Sequence, residues 1–138
     1  MLAGAAISWS SKRQTTVTLS SAEAEYTAMA ECTRDVIFVR QLLAHMQQPQ
    51  TGATTLHCDS QAALAIASAQ TNAPRRKHID VRHHFLREQI QAGIIAPQWI
   101  STLEQPADIF TKPLPAASFK AHRAFVMGSA MQPASLSS

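Results

Sequence analysis

An α/β fold, a sheet flanked by helices, is predicted for this chain by three observations. Short runs of extended character alternate with longer runs whose apolar residues recur at helical spacing. From Ser21 to Met46 no Gly or Pro interrupts a helix-periodic stretch. Near residue 58 an apolar run ends on an aspartate directly before a second helical pattern, the usual strand-to-helix junction of α/β folds.

Ala5 to Lys12 alternates loosely through Ile7 and Trp9, predicting a strand over about 5–12, a turn near 12–15 and a second extended piece ending at Leu19. Ser20 followed by Glu23 forms a capping box for the helix from Ser21 to about Met46. Its apolar stripe is expected to run through Ala28, Cys32, Val36, Val39, Leu43 and Met46, and one turn back it reaches Glu25. Glu23 is then on the opposite side and serves as a cap. Residues 47–52 read as a linker, Thr54–Cys58 as a strand and Gln61–Ser68 as a helix capped by Ser60.

Residues 69–74 are loop-like. Lys77 to about Ala92 predicts a helix with Ile79, Leu86 and Ile90 on its core face and Gly93 as its stop. Ile94–Ser101 predicts a strand paired only from Gln98 onward, because Pro97 lacks an N–H. Pro106 opens a helix with Asp108 in its first turn, Pro113 ends it, and a last helix over 117–127 uses Phe119, Phe125 and Val126.

With 138 residues, 46% of them apolar and 15% charged, the composition is that of one globular domain. No apolar run approaches the ~18–20 residues of a membrane span, and the N-terminus lacks a signal-peptide layout. Cys32 and Cys58 read as small buried hydrophobes, which suggests a reducing compartment, cytosolic or nuclear. The net charge of +3 is mild, but Arg75, Arg76, Lys77, Arg82 and Arg87 lie within thirteen residues. Such a cluster fits a polyanion or, equally, a solvated helix face.

Several chemistries are poorly supported. His57, Cys58, His78, His83 and His84 lack zinc-ligand spacing, and His57 and Cys58 point to opposite sides of a strand. There is no G-x-S-x-G elbow and no phosphate-binding glycine loop. Three acidic positions remain: Glu25 on a helix, Asp59 at a strand end and Asp108 at a helix start. Converging, they would suit hard divalent cations and phosphodiester hydrolysis. As separate features, Asp59 is also readable as a cap and Asp108 as a carboxylate at ease near a helix N-terminus.

The runs ISWSSKRQTTVTLSSAEAEYTAMAE, LHCDSQAALAIA, RRKHIDVRHHFLREQI and WISTLEQPADIFTKPL occur in this order over about residues 5–115. They resemble the ribonuclease H domain of copia-type retrotransposon Pol polyproteins. SFKAHRAFVMG resembles the short helix that closes such polyproteins. The resemblance implies a ribonuclease H-like mixed sheet flanked by helices over 1–115, with 116–138 a C-terminal helix and tail. It also implies hydrolysis of the RNA strand of an RNA–DNA hybrid with two Mg2+ ions.

Carried over residue by residue, the resemblance makes Glu25, Asp59 and Asp108 the catalytic metal ligands. Arg75, Arg76, Lys77, Arg82 and Arg87 become contacts to hybrid phosphates. The implied partners are the hybrid and an upstream reverse transcriptase segment of the polyprotein, and the implied location is the cytoplasm, the nucleus or a virus-like particle. The family's first catalytic aspartate lies in a motif like S-D-A-D-W, upstream of I-S-W-S-S-K, and has no counterpart here. The expectation is therefore a fold lacking the first strand and most of the second, and an isolated chain without activity. The other reading is a catalytically dead module that binds nucleic acid or another partner.

Overall fold

The computed structural model describes residues 5–11, 21–68 and 77–128, with side chains from 84 onward in the last segment. In chain order the regular elements are α1 (Ser21–His45), β1 (Thr54–Cys58), α2 (Gln61–Ser68), α3 (Lys77–Gln91), β2 (Ile95–Trp99) and α4 (Ala116–Val126). Two short 3-10 segments, Thr102–Glu104 and Pro106–Phe110, precede α4. The described residues form two compact units: one runs from α1 to Ile100, the other holds residues 5–11 with everything after Ile100. This mixed α/β arrangement is consistent with a ribonuclease H-like fold in which the described sheet has two strands.

In the first unit β1 and β2 pair in parallel, Thr54 opposite Ile95 and Cys58 opposite Trp99. Thr54 N–H donates to Ile94 O at 2.9 Å and Ile100 N–H to Cys58 O at 3.1 Å, so the even-numbered residues of β2 face β1. Pro97 therefore sits inside the strand, opposite Leu56, rather than before its paired part as expected. Its missing N–H falls on the edge away from β1 and removes no bond of the ladder. Leu56, Cys58 and Ile95 are buried while Thr55, His57 and Gln98 are exposed, so the helices cover one face.

α1 buries Tyr26, Met29, Ala30 and Thr33. The buried Thr33 hydroxyl is satisfied within the helix, donating to Met29 O at 2.8 Å. The expected stripe is corrected in its first half and at its end: Ala28, Cys32 and Met46 are exposed, and Glu25 is exposed rather than inward. Tyr26 and Met29 carry far more apolar surface than Ala28 and Cys32, so rotating them inward removes more of it from water. The same rotation leaves Glu23 half-buried, so helical phase does not separate the two glutamates as expected. Leu86 of α3 and Ala63 and Ala67 of α2 complete this core.

The helix ends follow local rules. Ser60 Oγ accepts from Ala63 N–H at 3.2 Å, capping α2 as the sequence indicates. α3 closes on Gly93 (φ 67°), with Gly93 N–H to Ile90 O at 3.0 Å and Ile94 N–H to Gln89 O at 3.0 Å. α1 closes the same way, but its left-handed residue is Gln47 (φ 62°). The loop after it is held by Arg40, whose Nη1 donates to Gly52 O at 2.8 Å and Thr54 Oγ1 at 2.9 Å and whose Nη2 donates to Gln50 O at 2.7 Å.

In the second unit the expected strand over 5–12 is corrected. Among residues 5–11 there is one bridge residue, Ala5, and Ala6 N–H donates to Val126 O at 2.9 Å. An extended run becomes a strand only where a ladder partner meets it. The turn near 12–15, the piece ending at Leu19 and Ser20 of the capping box lie outside the described residues. Pro106–Phe110 is a 3-10 helix with Pro106 in its first turn rather than an α-helix. In α4 the buried residue is His122, whereas Phe119 and Phe125, expected inward, are exposed. α4 packs on the short Pro106–Phe110 helix, a surface too small to cover both phenylalanines.

Two measurements follow. In urea titrations Gln47→Gly should stabilise the chain by up to about 1 kcal/mol, and Gly93→Ala should destabilise it by about 1–2 kcal/mol, since a Cβ is strained at positive φ. Burial pushes the Tyr26 hydroxyl from 10.0 up to about 12, with the Arg87 charge opposing. Stability contributed by the neutral phenol is thus complete below pH 10 and is lost, by roughly 2–3 kcal/mol, as pH rises through about 12. Tyr26 is the sole tyrosine, so tyrosinate absorbance should show a midpoint near 12 when folded and near 10 in denaturant.

Candidate metal centre

Parallel pairing puts the carboxyl ends of β1 and β2 at one edge, and the chain leaves β1 there through Asp59 and Ser60. The first turns of α1 pack over the same edge through Tyr26 and Met29, which share a core with Cys58. Glu25 is the neighbour of Tyr26 on the exposed side. The outcome is a cluster in which one carboxylate oxygen each of Glu25 and Asp59, together with Cys58 Sγ, lie within 4.8 Å of one another.

Cys58 is almost fully buried, and burial first, then the nearby Glu25 and Asp59 carboxylates, pushes its thiol up. A hydrogen bond with the Ser60 backbone acts the other way without reversing the direction. The more accessible donors are the two carboxylate oxygens, which suit a hard cation. His57 points from the opposite, exposed face of β1, as strand alternation requires. Two carboxylate oxygens are the donors a hard cation such as Mg2+ takes, and the thiol is the soft member of the set.

Asp108 belongs to the other unit. There it is buried at the start of the Pro106–Phe110 helix, and its carboxylate meets Lys112 Nζ at 2.9 Å through Oδ1 and 3.0 Å through Oδ2. Its backbone carbonyl accepts from Thr111 N–H at 3.1 Å and Lys112 N–H at 3.0 Å. Of the three sequence-derived carboxylates, Glu25 and Asp59 are thus brought together within one unit, and Asp108 is held by a lysine.

Among the basic residues, Arg75 and Arg76 lie outside the described residues. Lys77 opens α3 and Arg82 lies within it, and the side chains of both are outside the described ones. Arg87 is half-buried, and its Nη2 donates to Ile66 O at 3.3 Å. Its Nε is buried with no hydrogen-bond partner. The Arg34 guanidinium stacks over the Phe85 ring at 5.2 Å.

Sequence reasoning missed three participants. Cys58 looked like a plain core residue and is also part of the cluster. Arg40 gave no signal, because its partners are backbone carbonyls of a loop. Tyr26 was overlooked although Tyr26, Met29, Ala30 and Thr33 repeat at helical spacing; the choice of phase hid it.

No family model matches the chain, and no solved structure matches it. Curated relatives do. The retrovirus-related Pol polyprotein from transposon TNT 1-94 of Nicotiana tabacum is 39% identical over 117 residues, 85% of this chain and 9% of the polyprotein. That from transposon RE1 of Arabidopsis thaliana is 36% identical over 114 residues, 83% of this chain and 8% of its own length. That from transposon RE2 of the same plant is 35% identical over 114 residues, with the same coverage. This chain therefore spans less than a tenth of the relatives it matches. Its homologues are retrovirus-related Pol polyproteins of plant transposons, to which 83–85% of the chain aligns at 35–39% identity.

Proposed function

We propose that the chain is a ribonuclease H-like segment of a copia-type Pol polyprotein, in which Glu25 and Asp59 hold Mg2+ for hydrolysis of the RNA strand of an RNA–DNA hybrid. The observation that carries this reading is the convergence of those carboxylates at the carboxyl end of a parallel sheet. The homology to Pol polyproteins supports it.

Bound there, Mg2+ supplies the Lewis acidity that activates a water and stabilises the leaving oxygen. The protein positions the donors: β1 and the Ser60 cap fix Asp59, and the buried Tyr26 fixes the helical turn that presents Glu25. Asp108, proposed as a third ligand from the resemblance, is paired with Lys112 in its own unit. Arg75, Arg76, Lys77 and Arg82 are proposed to meet hybrid phosphates, with the upstream reverse transcriptase segment as a further partner in the cytoplasm, the nucleus or a virus-like particle. The isolated chain is expected to be inactive, because Glu25 and Asp59 converge while Asp108 is paired with Lys112. Two carboxylates bind metal without completing a two-metal site.

The test is Mn2+ binding, followed by electron paramagnetic resonance, beside cleavage of a labelled RNA–DNA hybrid in Mg2+. Asp59→Asn and Glu25→Gln should each weaken Mn2+ binding about ten-fold or more, with no cleavage by the parent chain. Cleavage abolished by Asp59→Asn would overturn the expected inactivity. Unchanged Mn2+ affinity in both variants would remove the metal site, and hybrid binding that persists in them would favour a binding module.

A further inference from the structure

Arg87 sits among charged residues that look like a solvated or nucleic-acid-facing row, yet its surroundings are those of a brace. It follows Leu86, which is fully buried, and is itself half-buried. Its Nη2 reaches across to Ile66 O, near the end of α2. α2 is the helix that begins one residue after the Asp59–Ser60 junction, and Ala63 and Ala67 anchor it in the core. Leu86, the neighbour of Arg87 on α3, shares a core with Tyr26 and Met29 of α1. α3 thus meets both elements that carry the acidic pair, α1 through Leu86 and α2 through the Arg87 bond.

From this arrangement we infer that Arg87 is a positioning residue, tying α2 to α3 while α3 packs on α1, so that Glu25 and Asp59 meet over Cys58. It is not a phosphate contact. The inference rests on Glu25 and Asp59 forming the site. A guanidinium suits the role because its planar fork, on a long stem, can bond a backbone carbonyl of the neighbouring helix. A buried Nε without a partner is costly, so the residue is held by its packing and its Nη2 bond rather than by ideal satisfaction.

The brace is tested without any metal by alkylation of Cys58, which is almost fully buried beneath the pair. In a Cys32→Ser background, where Cys58 is the remaining thiol, Arg87→Met should raise its reaction rate with iodoacetamide about ten-fold or more. Arg87→Lys, which keeps the charge and one donor, should stay within about three-fold of the parent. Arg40→Ala is the structural control: it removes the clamp on the α1–β1 loop, so it should lower the melting temperature and leave Cys58 protected. If Arg87→Met does not fold, Arg87→Gln replaces it with the same expected direction.

Parent-like protection in Arg87→Met would overturn the inference. So would equal loss of protection in Arg40→Ala, which would reduce Arg87 to general stability. Mn2+ affinity measured on the same variants separates this from the functional reading. If Asp59→Asn leaves Mn2+ binding unchanged, the metal site fails while Cys58 protection still decides the role of Arg87. Where hybrid binding is measurable, the brace predicts an unchanged salt slope for Arg87→Met, and a slope lower by about one would mark a phosphate contact and overturn it.

Discussion

The parallel pairing of β1 with β2 is the constraint on which the acidic corner depends. Parallel strands cannot be joined by a hairpin, so the chain between Cys58 and Ile95 must cross over, and it does so through α2 and α3. Both strands then end at the same edge, where Ile100 N–H closes the ladder on Cys58 O. Asp59 leaves the sheet at that edge because β1 stops there. Glu25 joins it because α1 buries Tyr26 and Met29 against the same core.

Two carboxylates and a thiol within 4.8 Å form an electrostatically loaded corner. At an effective dielectric near 20, two like charges about 4 Å apart repel by about 4 kcal/mol. The fold lightens this load in three ways: Glu25 is exposed to water, Cys58 keeps its proton, and the N-terminus of α2 lies next to Asp59. A bound divalent cation would turn the remaining repulsion into attraction, which is the physical basis for reading the corner as a hard-metal site. The same reasoning sets Asp108 apart, since its charge is answered by Lys112.

Local rules were legible wherever one residue satisfies one backbone group. Ser60 caps α2 and Gly93 ends α3, and β1 and α2 have the bounds the sequence indicates. Choices among nearly equal faces were not legible. On α1 the stripe through Ala28 and Cys32 and the stripe through Tyr26 and Met29 are both periodic, and only packing against β1 decides between them. Pro97 misled in another way: whether a proline interrupts a strand depends on which edge its nitrogen faces, and that is a matter of register. Glu25 was picked out as inward-facing and is exposed, so its place beside Asp59 arises from the approach of α1 to the sheet edge.

The sequence by itself determined the order and type of the main elements in the first unit, the acidic residues worth following, and the likeness to a polyprotein segment. These follow from contacts a few residues apart and from motifs that survive as strings of letters. Only the tertiary structure decided that Cys58 joins Glu25 and Asp59, that Arg40 clamps a loop and that Arg87 turns into the protein. Each of those outcomes depends on residues far apart in the chain and on which face of a helix removes more apolar surface from water, a competition the whole core resolves at once.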